Sequence, residues 1–299
     1  MVKRLISSNY SEILKMNSAE LKESIKASEG RVIVSENVVS RESFLGDVTN
    51  SEVAKAFGAD LILLNAFDVF NPFINGLASR GKDTIKDLKR LVGAPIGLNL
   101  EPCDQNAKMQ DQKLEIVEGR LASKLSLREA ELLGFDFLCL TGNPGTGVTN
   151  KKITESIKTA KDNFNGLIIA GKMHTSGVNE PVTNKESIEA FIEAGADVIL
   201  VPAIGTVPGF SCDDLKETVN IAHANGALVM TAIGTSQEGS SKETIRQIAL
   251  ANKICGADIQ HIGDAGYAGL APAENIYELS KAIRGIRHTA SVMSRSINR

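Results

Sequence analysis

Eight short β-branched runs, most opening on a Gly-Ala-Asp-like turn and separated by amphipathic helical patterns, predict an α/β protein: a single (β/α)8 barrel with an N-terminal helical extension. The runs are almost continuously apolar, as strands covered on both faces of a parallel sheet must be. They recur at roughly 30 to 40 residues, the length of one βα unit. An open doubly wound sheet is the rival arrangement. It ordinarily carries GxGxxG after its first strand, where this chain has Val38-Val39-Ser40-Arg41.

Residues 1–30 precede the first run. Asn17 caps a helix with Glu20 at N3, and Gly30 closes it, so this segment is expected to seal the bottom of the barrel. The runs follow at 32–37, 61–66, 96–101, 137–141, 167–174, 198–203, 228–234 and 259–263. Turns such as Gly58-Ala59-Asp60, Gly134-Phe135-Asp136, Gly195-Ala196-Asp197 and Gly256-Ala257-Asp258 introduce them. Between runs, 187–194 and 244–251 have helical periodicity, the first ending at Gly195 and the second shortly before Gly256. The barrel is therefore placed at 31–285. A basic tail, 286–299, with Arg287, His288, Arg295 and Arg299, reads as solvated or intersubunit.

Composition excludes several function classes. The 299 residues are 42% hydrophobic and 23% charged, an ordinary globular balance. A net charge of −3 gives no electrostatic case for nucleic acid or an anionic membrane. Trp is absent and aromatics are 4%, too few for a base-stacking platform. No apolar run is long enough to span a bilayer. Cys103, Cys139, Cys212 and Cys255 form no CxxC pair and no secretory leader is visible, so they read as reduced thiols of a cytoplasmic protein. A homo-oligomer is expected.

In a barrel of this kind the chemistry sits at the C-terminal ends of the strands. The polar residues that end the runs are Glu36 and Asn37, Asn65 and Asp68, Asn99 and Glu101, Thr141 and Asn143, Lys172 and His174, Thr206, Thr235 and Ser236, and His261 and Asp264. Alternation along 96–101 points Asn99 and Glu101 inward. The same argument along 167–174, with Leu167, Ile169, Gly171 and Met173 as the outward set, points Lys172 and His174 inward together. Lys172, His174, Glu101 and Asn99 are the catalytic candidates; Asn65, Asp68, Thr141, Asn143, His261 and Asp264 the substrate-binding ones. Lys172 in that place pairs with a carboxylate, binds an anion, or loses its proton for nucleophilic or acid–base work. Alternation leaves the facing of Glu36 and His261 open. His223 and His288 read as surface residues.

Three glycine-rich loops follow strands. Residues 142–149 have the outline of a Walker A loop, but Val148 replaces the required Lys, which argues against nucleoside triphosphates. Their backbone N–H groups suit an anion or a substrate carboxylate. Gly234, Thr235 and Ser236, with Gly263 and Gly266, occupy the places where barrels commonly hold phosphate. Glu238 and Asp264 sit awkwardly there, since both repel it. Glu101, His174 and His261 are a candidate divalent-metal set without HxH or HxxxH spacing. No other cofactor is expected.

The motifs Gly46-Asp47-Val48-Thr49-Asn50, Phe67-Asp68-Val69-Phe70-Asn71-Pro72, Asn99-Leu100-Glu101-Pro102, 140–147, Ala170-Gly171-Lys172-Met173-His174, 232–239 and 261–267 together resemble an uncharacterised bacterial TIM-barrel family. Its members are loosely labelled phosphoenolpyruvate-phosphonomutase-like or haloacid-dehalogenase-like. The resemblance spans essentially the whole chain and implies a sugar-uptake context, hence a phosphorylated carbohydrate. The Lys-Lys-Cys-Gly-His loop and Mg²⁺ carboxylates of phosphoenolpyruvate mutases and isocitrate lyases are absent here. So is the Asp-x-Asp of haloacid dehalogenases. The resulting expectation is an enzyme of carbohydrate metabolism, a lyase or isomerase. It would cleave or isomerise a small anionic, phosphorylated carbonyl or hydroxy compound by aldol-type chemistry. A flavin- or metal-dependent barrel enzyme and a non-catalytic binding or assembly barrel are the alternatives.

Overall fold

A computed structural model describes residues 2–110, 112–266 and 268–299. Eight parallel strands close a barrel in sequence order: β1 (Val32–Val38), β2 (Leu61–Asn65), β3 (Ile96–Leu100), β4 (Phe137–Leu140), β5 (Leu167–Gly171), β6 (Val198–Pro202), β7 (Leu228–Ile233) and β8 (Ile259–Ile262). The register that closes it sets Val32 against Ile259 and Val34 against His261. This is the (β/α)8 barrel the periodicity predicts.

The helices are α1 (Tyr10–Ile13), α2 (Ser18–Lys26), α3 (Asn50–Ala56), α4 (Thr84–Val92), α5 (Lys124–Leu133), α6 (Asn150–Asn163), α7 (Lys185–Ala194), α8 (Cys212–Ala224), α9 (Lys242–Ile254) and α10 (Ala273–Met293). The Asn17–Glu20 capping box of α2 forms as its sequence dictates. Leu21 and Ile25 of α2, with Leu5 and Ile6, pack against the lower interior residues Val32, Leu61 and Leu167, so this segment does seal the floor. No helix among the described residues is long and apolar enough to cross a membrane.

Two apolar layers share the strands. Ile62, Leu98, Leu138, Ile168 and Val229 face the helices, whereas Leu63, Cys139, Ile169 and Met230 fill the interior. On several strands the interior row turns polar as it climbs: Val34 gives way to Glu36, Leu63 to Asn65 and Cys139 to Thr141. That change of character places the site.

The Asp of the Gly-x-Asp turn has a structural task. Asp60, Asp136, Asp197 and Asp258, which precede β2, β4, β6 and β8, each accept the backbone N–H of the neighbouring odd strand. The donors are Ile33 at 2.9 Å, Ile96 at 2.8 Å, Ile168 at 3.1 Å and Val229 at 2.8 Å. Each carboxylate also meets a basic side chain: Arg284 at 2.6 Å, Lys89 at 2.7 Å, Lys22 at 3.3 Å and His223 at 2.8 Å. The motif is a clamp at the foot of the barrel, remote from the chemistry.

The C-terminal segment differs from expectation. Gly285, at φ +69°, breaks α10, and the chain then continues as helix to Met293. Val292 joins the floor cluster, and Arg295 donates to the Ser7 carbonyl and to Asn9 Oδ1. The basic tail is docked on the N-terminal segment, because its apolar residues have the barrel floor to cover.

Candidate active site

The upper barrel opens into a cavity of about 730 Å³, lined among others by Glu36, Asn65, Asn99, Thr141, Asn143, Met173, His174, Gly234, Thr235, Ser236, Glu238, Gly263 and Asp264. Its floor is an amide network whose proton directions are fixed by backbone donors. The Ala66 N–H at 2.8 Å makes Asn65 Oδ1 an acceptor. Asn65 Nδ2 then donates to Asn143 Oδ1 at 2.9 Å and to Asp264 Oδ2 at 2.8 Å. Glu101 anchors the other end: it accepts the Asn143 N–H at 2.8 Å and Asn143 Nδ2 at 2.9 Å, and pairs with Arg120 at 2.6 Å. Asn99 donates to Asn65 Oδ1 at 3.2 Å, and its own Oδ1, like Thr141 Oγ1, has no partner among the described residues.

Two titratable groups face this space with shifted affinities. Burial pushes the Asp264 carboxyl up to about 7, and the negative charge of Glu36 adds to the push. Burial pushes the His174 imidazole down. The Ser176 N–H donates to His174 Nδ1 at 3.0 Å, so in the neutral ring the proton sits on Nε2. Below them, His261 Nε2 meets Glu36 Oε2 at 2.9 Å, while His261 Nδ1 has no partner among the described residues. Thr235 and Ser236 hold φ of +55° and +66°, a rare conformation for a β-branched residue and a common mark of functional loops. The Thr235 hydroxyl, donating to the Thr206 carbonyl at 2.7 Å, helps hold the turn.

Several expected residues lie elsewhere. Lys172 does not face the cavity. Leu167, Ile169 and Met173 are the interior set of this strand, the reverse of the expected parity, because β5 is apolar on both faces and offers no contrast to read. Lys172 is buried against Glu180, which also accepts the Asn150 N–H at the start of α6. Its partner is thus Glu180 and not Glu101, and burial lowers its affinity for protons. Glu101 faces inward as expected, yet it is spent on Asn143 and Arg120 and does not line the cavity. His261 is fully buried beneath it. Asp68 accepts the Phe70 N–H within its own turn.

Of the expected phosphate cup only part reaches the cavity. Gly234, Thr235, Ser236 and Gly263 line the cavity, but Gly266 does not. Glu238 enters between the two loops and takes the Ala265 N–H at 2.9 Å, and the Gly263 N–H is bound to the Ile233 carbonyl. In the 142–149 loop the N–H groups of Thr146 and Gly147 are similarly spent on Asn143 and Ser176. Among the described lining residues there are Glu36, Glu238 and Asp264 and no Lys or Arg. The candidate metal set does not assemble: Glu101 and His261 are bound to different partners. No group of three or more His, Cys, Asp or Glu among the described residues is placed to hold a metal. The three residues of that set are thus not brought together. Sequence reasoning missed Glu180 and Arg120, which sit in loops without periodicity, and treated Glu238 only as an obstacle.

Fold and site together define a (β/α)8-barrel protein with a large cavity at the C-terminal ends of its strands. The chain belongs to the family DUF7916, described as a domain of unknown function, whose model matches residues 6–299. No curated protein matches it. Among solved structures it is similar to 2,3-dimethylmalate lyase, a PEP mutase/isocitrate lyase superfamily member. The identity is 11% and the TM-score 0.50, over 82% of this chain and 80% of that one. A candidate lyase/mutase from Burkholderia cenocepacia J2315 is 18% identical, with TM-score 0.49 over 82% of each chain. Thiamine phosphate pyrophosphorylase from Pyrococcus furiosus is 13% identical, with TM-score 0.47 over 86% of this chain and 97% of that one. At such identities the likeness is one of fold. None of the three is a haloacid dehalogenase.

Proposed function

We propose that the protein is an enzyme, an aldol-type lyase or an isomerase, that moves protons beside the carbonyl of a small polyhydroxy compound. The observation that carries this reading is the pairing in one cavity of Asp264, a carboxyl that exchanges its proton near neutrality, with a neutral His174. A base is most effective when its affinity lies near the working pH. A neutral imidazole N–H is a suitable donor to a carbonyl oxygen as negative charge grows on it. In cleavage, Asp264 takes the proton of the β-hydroxyl, and the bond between the α and β carbons breaks. Its electron pair moves onto the carbonyl oxygen facing His174, leaving an aldehyde and an enolate held by the Nε2–H, and Asp264 returns its proton to the α carbon of that enolate. In isomerisation, Asp264 takes the α C–H proton and returns it to the former carbonyl carbon, while the proton of the α-hydroxyl passes to the former carbonyl oxygen beside His174. Asn99 and Thr141 offer the substrate hydroxyls their unpartnered atoms. The acidic lining favours a substrate without phosphate, in place of the phosphorylated one expected from resemblance.

The test is solvent exchange. A panel of hydroxyketones, aldoses and ketoses is incubated with the enzyme in D₂O, and proton NMR follows the signal beside each carbonyl. At least one member should exchange or be cleaved, and Asp264→Asn should slow that by 100-fold or more, about the contribution of a general base. With Asp264 as base, kcat/KM should rise tenfold per pH unit up to about 7 and stay level above it. Absence of exchange across the panel overturns the reading.

A further inference from the structure

We propose that the cavity receives its substrate through a protonated amine seated against Glu238, so that the substrate is an amino-polyhydroxy compound. The inference deepens the reading above, since it takes this cavity to be the active site. Glu238 is only 2% exposed, yet just one of its oxygens is satisfied. Oε1 takes the Ala265 N–H, while Oε2 has no partner among the described residues. A buried carboxylate oxygen left in this state is costly unless something in the cavity meets it. Asn99 Oδ1, on a side chain 3% exposed, is a second atom with no partner among the described residues, and the network directions make it an acceptor that needs a donor. The ligand must therefore bring N–H or O–H groups.

Charge decides between them. Glu36 and Asp264 face the same space, and the described lining residues supply no Lys or Arg to balance them. Burial first, and then the charges of Glu36 and Glu238, raise the proton affinity of Asp264 in that space. An ammonium group relieves that field and can donate up to three hydrogen bonds. A neutral hydroxyl supplies one, and a phosphate opposes the field outright.

The test uses two matched series on the full-length protein at pH 7: glucosamine, glucose and glucose 6-phosphate; serinol, glycerol and glycerol 3-phosphate. Magnesium chloride alone is a further arm. Calorimetric titration should show at least one amine binding tenfold or more tighter than its matched polyol, with neither phosphate competing. Glu238→Gln, which keeps the oxygen facing Ala265, should erase the preference while sparing the polyols. If that variant does not fold, Glu36→Gln, which removes a charge facing the same space, must weaken the amine more than its matched polyol. Equal binding of amine and polyol, tighter binding of a phosphate, binding of none, or a Mg²⁺ response lost in Glu238→Gln each overturns the proposal. Binding is read without turnover. Amine binding with no solvent exchange would remove the enzyme reading alone; exchange without amine preference would remove this inference alone.

Discussion

Burial and the neighbouring carboxylates of Glu36 and Glu238 push the Asp264 carboxyl from an ordinary 3.8 up to about 7. The folded chain therefore holds a proton that the unfolded chain releases from pH 3.8 upward. Stability owed to this group is full below 3.8, falls as pH rises, and is lost once pH passes about 7. Asp264→Asn, whose oxygen still accepts from Asn65, should gain over the wild type across that window and level off above it. A gain of about 1 kcal/mol corresponds to about 2–4 °C in Tm for a domain of this size class. Thermal melts at pH 8 should show at least that gain, and melts near pH 3.5 none. An Asp264→Asn protein no more stable at pH 8 would mean the carboxyl is not buried in a negative field. At this scale Asn65, Asn99, Thr141, Asn143, His174 and Asp264 were legible, because each ends or closely follows an apolar run. Glu101 and His261 were legible as inward-facing or polar, but their partners were not. Whether a carboxylate faces a ligand or an arginine depends on loop geometry that no local pattern encodes.

The fifth strand shows where reading by element fails. Its sequence Leu167-Ile168-Ile169-Ala170-Gly171 is apolar throughout, so the period of two has no polar face to mark it. Taking Leu167, Ile169 and Met173 as the outward set therefore gives the reverse of the observed parity. The third strand was read correctly because Gly97 and Asn99 contrast with Ile96 and Leu98. Gly171 is the pivot of the difference: φ is +150°, and a Cβ there would stand 2.0 Å from the Leu200 carbonyl oxygen. The backbone must come that close before the chain leaves the strand to bury Lys172 and present His174. Gly171→Ala should cost roughly 3 kcal/mol, in the range of a strained backbone position. Urea unfolding would measure it, and amide exchange over 172–184 should quicken. An unchanged midpoint would show that the β5–β6 contact yields without loss.

Across the whole molecule, the eight-fold count and the order of strands were legible because each unit repeats its own turn and period. The docked tail was not, since nothing in a sparse basic segment says that Val292 and Arg295 meet the N-terminal residues. The aspartate clamps join strands two by two, β1 with β2, β3 with β4, β5 with β6 and β7 with β8. The ends of the chain also meet, the Ser11 N–H donating to the Arg299 carbonyl at 2.9 Å. A circularly permuted chain is thus geometrically open, and the clamps say where to cut. New ends at 78–82, between β2 and β3, leave every clamped pair contiguous along the chain. New ends at 106–110, between β3 and β4, turn the Asp136–Ile96 contact from a short loop closure into one spanning nearly the whole chain. Such long-range closures slow folding. Stopped-flow refolding should find the first permutant close to the parent rate and the second slower by about tenfold or more. Equal rates would mean that the barrel assembles without regard to its pairs.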